Sequence, residues 1–166
     1  MTSRTAVFEQ VAREHDAMIK RIATSHEMAP HLAEELVQDI YLAIWKALPS
    51  FRKEASLRTF VARIATNRAV THVVRALKLP PSSEVREDLP AFDPSPETRA
   101  IAQDRRTHLL AAVRRLPLTY RETVMLALEG LTTAEIADVL GISANAVAIR
   151  LSRGKELLRG LLENTR

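Results

Sequence analysis

The 166 residues suffice for one compact domain or two small ones, and a hydrophobic share of 46% can furnish their cores. Aromatic residues make up only 4% and cysteine is absent, which sets aside a β-sandwich, a disulfide framework and cysteine-based metal or catalytic sites. The net charge of +4 is unevenly spread: 1–79 carries 12 basic and 8 acidic side chains, 80–98 carries 1 and 5, and 99–166 carries 11 and 7. Two cationic ends around an anionic connector point to two surfaces facing a polyanion, with ordinary solvated helix surface as the alternative.

The N-terminal part reads as three helices. Phe8, Val11, Ala12, His15, Met18, Ile19 and Ile22 recur at helical spacing and predict one amphipathic helix. In 33–48, the stripe Leu36, Ile40, Ala43, Ala47 lies beside the stripe Val37, Tyr41, Ile44, Leu48, giving a second helix with a broad apolar face. Glu34, Glu35, Gln38 and Asp39 gather near its start, where the helix dipole alone would favour carboxylates. Pro49 ends it. Ser56 is the expected N-cap of a third helix that buries Leu57, Phe60, Val61, Ile64 and Val74.

That third helix is basic. Residues 51–78 hold seven cationic side chains against a single acid, Glu54. Helical spacing puts Arg68, His72 and Arg75 on one face and Arg63, Asn67 and Thr71 on its neighbour, behind the polar loop Phe51, Arg52, Lys53. A charged groove beside an aromatic-bearing loop suits single-stranded or opened DNA; a solvated basic face is the plainer alternative.

Five of the eight prolines fall between Pro80 and Pro96, so regular structure is expected to stop near Leu79 and resume near Glu97. Beyond this connector the sequence predicts a helix over 97–116, a break at Pro117 and a shorter helix over 119–129 closed by Gly130.

The segment 131–147 carries the sharpest local signal. Thr132 and Glu135 make a capping box, Ala137 permits a close helix crossing, Gly141 permits a left-handed turn, and Ser143 caps a second helix. Ile136, Leu140, Ile142, Val147 and Leu151 would form the shared core of this helix-turn-helix. Asn145, Ala148, Ile149, Ser152 and Arg153 then face outward, as base-reading side chains do in the major groove, while Arg150, Arg153, Lys155 and Arg159 supply charge for phosphates. A helical hairpin serving protein contacts is the competing interpretation.

No run is long and apolar enough to span a bilayer, and the first residues lack the apolar segment of a secretion signal. The expectation is a cytoplasmic protein without membrane insertion. The five histidines show no metal-like spacing and no glycine loop is built to cradle phosphate, so neither a metal, a cofactor nor catalysis is expected.

Taken together, these residues resemble the small two-domain bacterial sigma factors of the extracytoplasmic function (ECF, group 4) family. The N-terminal likeness runs through Ala33, Glu34, Glu35, Leu36, Val37, Gln38 and Asp39, then Ile44 and Trp45, Phe51 and Arg52, Ser56 to Arg58, and Arg63 to Asn67. The C-terminal likeness runs through Leu116 and Pro117, Arg121 and Glu122, Glu129 to Leu131, Glu135 to Ala137, Leu140 to Ile142, and Val147 to Arg153. The resemblance implies an all-α fold of two small helical domains joined by a flexible Pro-rich linker. A region 2-like bundle would occupy 1–79, the linker 80–96, and a region 4-like helix-turn-helix 97–166.

By the same resemblance the chain would be an alternative sigma factor, binding core RNA polymerase through its β′ clamp and β flap and directing promoter-specific initiation. Glu34, Glu35, Gln38, Asp39 and Trp45 would serve the polymerase. Phe51, Arg52, Lys53, Arg58, Arg63, Asn67, Arg68, Thr71, His72 and Arg75 would capture and melt the −10 element. Asn145, Ala148, Ile149, Arg150, Ser152 and Arg153 would read the −35 element, and an anti-sigma factor would mask both faces. Phe60 stands where tryptophan is frequent in the family, Thr71 where aspartate is, and Leu32 where an acid is. Ala146, Ala148 and Ile149 replace more polar residues, so the promoter sequence does not carry over from relatives. Two other functions fit parts of the pattern: a helix-turn-helix regulator that is not a sigma subunit, and a helical interaction protein that never touches DNA.

Overall fold

The computed structural model describes residues 3–78 and 99–165, with side chains in the second stretch from 103 onward. The connector 80–96 lies outside the described residues. Among those described, all regular structure is helical: α1 (Arg4–Glu14), α2 (Asp16–His26), α3 (Pro30–Ala47), a 3-10 turn at Leu48–Ser50, α4 (Leu57–Lys78), α5 (Arg99–Arg115), α6 (Leu118–Leu128), α7 (Thr133–Leu140) and α8 (Ala144–Glu163).

The first expected helix is two helices. His15 leaves helical geometry at φ −121°, ψ 3° and closes α1 by donating its N–H to the Val11 carbonyl, while Asp16 opens α2. The break lets the two halves serve different neighbours. Phe8 on α1 meets Tyr41 and Trp45 of α3 edge-on, at centroid distances of 5.8 and 5.3 Å. Ile19 and Ile22 on α2 are fully enclosed in the main core. A straight helix could not deliver both contacts. Neither proline nor glycine marks the bend, and tertiary packing overrides the local pattern.

Helices α2, α3 and α4 form the N-terminal bundle. Ser56 caps α4 as expected, accepting from the Thr59 N–H at 3.1 Å. The buried stripe of α4 is built from Thr59, Val61, Ala62, Ala65, Thr66 and Ala69, whereas Leu57, Phe60, Ile64 and Val74 are only half-buried. Small side chains let neighbouring backbones approach closely, which suits a helix packed on two sides: α2 and α3 on one, α6 and α7 on the other.

Helices α5 to α8 form the C-terminal unit. Pro117 ends α5 and begins α6, and Arg121 staples the junction by donating to the carbonyls of Arg114 and Leu116 at 2.6 and 3.1 Å. Such late helix carbonyls lack intrahelical donors, so the guanidinium satisfies otherwise orphaned acceptors. Val113, Leu116, Leu126, Ile136 and Val147 are almost completely enclosed and join the same apolar core as the N-terminal bundle. The two units therefore lie directly against one another, through α2 with α5 and α6 and through α4 with α6 and α7.

Candidate nucleic-acid and partner interfaces

The helix-turn-helix is formed by α7 and α8. Thr132 Oγ1 accepts from the Glu135 N–H at 3.2 Å while a Glu135 carboxylate oxygen accepts from the Thr132 N–H at 2.9 Å. This reciprocal box holds the Glu135 carboxyl below the usual carboxylate range, chiefly through the Thr132 backbone. Gly141 turns the chain in the left-handed region, at φ 66° and ψ 34°, which non-glycine residues enter only at a cost. Ser143 then caps α8 by accepting from the Ala146 N–H at 3.1 Å.

Asn145, Ala148, Ile149, Ser152 and Arg153 all stand exposed on α8, and Ile149 is 49% accessible despite its size. Arg150 differs. It is half-buried and turns back to α6, where it pairs with Glu122 at 3.7 Å. Burial pushes the Glu122 carboxyl up, and Arg150 works against that shift. The pair ties α8 to α6 while leaving the Arg150 side chain 29% exposed.

Sequence reasoning missed Gly154. It is buried in the middle of α8, and a Cβ there would sit 2.6 Å from Val124 Cγ2 on α6. A mid-helix glycine weakens a helix by about 1 kcal/mol relative to alanine, so its presence inside a well-capped helix was the available signal of a close crossing.

On α4 the predicted cationic surface is divided. Arg52, Lys53, Asn67 and Arg75 are exposed, and Lys53 adopts φ 59° in the loop before the helix. Phe51 lies half-buried against Phe60, with ring centroids 4.7 Å apart. Arg68 approaches Asp39 of α3 at 3.9 Å, and His72 Nε2 meets the Glu27 carboxylate at 2.6 Å. Thr71 is half-buried beside them. Arg58, half-buried, donates to the Glu129 carbonyl, and Arg63, itself exposed, donates to the Asp138 carbonyl at 2.8 Å.

On α3, Glu34, Glu35, Gln38 and Asp39 are exposed. Glu34 and Gln38 border a groove of about 520 Å³ whose walls include Lys20, Met28, Val37 and, from the C-terminal unit, Arg114. Trp45 lies apart from them, half-buried, with the Arg4 guanidinium 4.0 Å from its ring centroid and Phe8 beside it. Among the described residues, no group of three or more His, Asp or Glu is arranged to hold a metal ion. His26 illustrates the point: it is buried, its Nδ1 lies 2.9 Å from the Ile22 carbonyl, and burial lowers its pKa to about 4.

Comparison with known proteins agrees with this layout. Residues 11–78 match the profile of Sigma-70 region 2, and residues 106–158 match that of Sigma-70 region 4. RNA polymerase sigma factor NccH of Alcaligenes xylosoxydans xylosoxydans is 28% identical over 167 residues, covering 95% of this chain and 88% of that protein. ECF RNA polymerase sigma factor SigE of Mycolicibacterium smegmatis is 29% identical over 160 residues, which is 93% of this chain but 61% of that relative's length. Among solved structures, the sigma factor RpoE of Bartonella quintana, in complex with the anti-sigma factor NepR, has the same fold. The TM-score is 0.75 at 24% identity, over 96% of this chain and 98% of that one. The chain belongs to the extracytoplasmic function group of the Sigma-70 family of bacterial RNA polymerase sigma factors.

Proposed function

We propose that this chain is an alternative sigma factor that binds core RNA polymerase and directs it to a set of promoters. The single observation that carries this is the order of its parts: a region 2 bundle bearing a basic helix, then a region 4 helix-turn-helix with an open outer face. It acts in the cytoplasm as an initiation factor and not as an enzyme, and no helix among the described residues could cross a membrane.

In this reading the exposed acids of α3 dock on the polymerase β′ clamp and the C-terminal unit rests on the β flap. The loop and helix from Phe51 to Arg75 engage the −10 element, and the outward face of α8 reads the −35 element. Ala148 and Ile149 offer apolar contact to thymine methyl groups, and Asn145 and Arg153 offer hydrogen bonds to base edges. An anti-sigma factor is the expected antagonist. The test is run-off transcription with purified core polymerase on a library of genomic promoters. Discrete promoter-dependent transcripts are the expected result. Their absence from correctly folded protein would reject the function, and specific duplex binding without polymerase would favour a conventional regulator.

A further inference from the structure

The outer face of α8 is chemically uneven along its length. Asn145, Ile149 and Arg153 follow one another at steps of four, so they form a single row, with Ala148 and Ser152 beside it. All five are exposed. The ends of the row carry hydrogen-bonding groups, an amide at Asn145 and a guanidinium at Arg153. Its middle is aliphatic, filled by Ala148 and Ile149, and Ile149 leaves 49% of its surface in water.

The fold does not call for a branched aliphatic side chain there. Ile149 stands outside the apolar core, in contrast to Val147 and Leu151, two residues away on either side. A β-branched residue is a poorer helix former than alanine or leucine, so helix stability does not select it either. Arg150, next in the chain, pairs with Glu122 on α6 at 3.7 Å and leaves the middle of the row without a hydrogen-bonding group of its own. At 1.5 Å per residue the row is about 12 Å long, which matches about four base pairs stacked about 3.4 Å apart.

In the major groove, a guanine, adenine or unmodified cytosine edge set against Ile149 loses water from its hydrogen-bonding groups and finds no partner for them. Thymine presents a C5-methyl group in that place, and 5-methylcytosine carries the same group at the same position. The geometry points to Ile149 as the reader of a C5-methyl group on a pyrimidine in the middle of the −35 element. The class of base recognised there is a 5-methylpyrimidine, thymine and 5-methylcytosine alike, and cytosine methylation therefore alters recognition at that base pair. This rests on the function proposed above, in which the outer face of α8 meets duplex DNA.

The test selects duplexes from a random-sequence library with the full chain bound to core RNA polymerase and, in a second arm, with the full chain alone. Each thymine of a selected site is then replaced in turn by deoxyuridine, which removes the methyl group and keeps every hydrogen-bonding group. One thymine facing α8 should lose about fourfold in affinity, the contribution of one buried methyl group. At the same position 5-methylcytosine should bind better than cytosine by a similar factor. Ile149→Ala, at an exposed position, should keep the wild-type melting temperature and bring the thymine-to-uracil ratio at that one base close to unity. If Ile149→Ala abolishes the uracil effect at no thymine, the methyl contact is overturned. Selection of a site by the chain alone but not by the polymerase complex would reject the sigma function and leave the uracil comparison to decide Ile149. Selection by neither would overturn both.

Discussion

Helices α4 and α8 both carry cationic side chains on a long rod, yet they meet solvent in opposite ways. The outer face of α8 is open along Asn145, Ala148, Ile149, Ser152 and Arg153, and its one inward arginine, Arg150, is spent on Glu122. On α4, Arg58, Arg63, Arg68 and His72 each already have a protein partner, drawn from α6 and α7 on one side and from α2 and α3 on the other. The difference follows from position. α8 packs only within its own unit, against α5, α6 and α7, whereas α4 is packed by helices of both units. A helix packed from both units pairs more of its charge with protein groups, and a helix with one free face can leave its charge in water.

The platform under α8 offers the strongest test. Ile136 is 1% exposed beneath α8, and Ile136→Ala should cost about 2–5 kcal/mol of stability through lost burial and the cavity left behind. Chemical denaturation measures it; a loss below 1 kcal/mol would mean that α8 does not depend on this core.

Acid should separate the two units next. His26, buried in the N-terminal bundle, has its pKa depressed from 6.5 to about 4 by burial. The folded chain therefore resists a proton that the unfolded chain accepts. This contribution is intact above pH 6.5 and is lost as the pH falls towards 4, to the extent of about 3 kcal/mol. Trp45, the only tryptophan, reports the N-terminal bundle by fluorescence, and His26→Gln should flatten the pH dependence of urea unfolding between those limits. An unchanged slope in the variant would assign the acid lability elsewhere.

The smallest effect sharpens the contrast most directly. Arg153→Ala should leave the melting temperature alone, because Arg153 is exposed, and should weaken −35 discrimination by about 1–3 kcal/mol if it meets a base edge. Transcription from promoter variants decides: a uniform loss across all sequences would place Arg153 on phosphate.

Much of the C-terminal unit was legible because its punctuation is chemical. Thr132 with Glu135, Gly141 and Ser143 are residue types that the required backbone geometry selects, and each performs the expected task. The break at His15 was not legible, since the bend is imposed by what Phe8 and Ile19 must reach and no residue nearby advertises it. The partners of Arg58 and Arg63 were equally hidden. Both bond to main-chain carbonyls, which every residue has, so no pattern of side chains could have revealed them. The outward face of α8 could be read from periodicity, but the diversion of Arg150 to Glu122 needed the position of α6.

The glycine at the crossing of α6 and α8 also has a mechanical meaning. Gly154 divides α8 almost evenly, with Ala144 to Arg153 before it and Lys155 to Glu163 after it. The helix is one uninterrupted rod about 30 Å long. With Val147 and Leu158 buried on either side of Gly154, the rod is pinned at three points, and a tilt of its outward arm would have to shift all three contacts together.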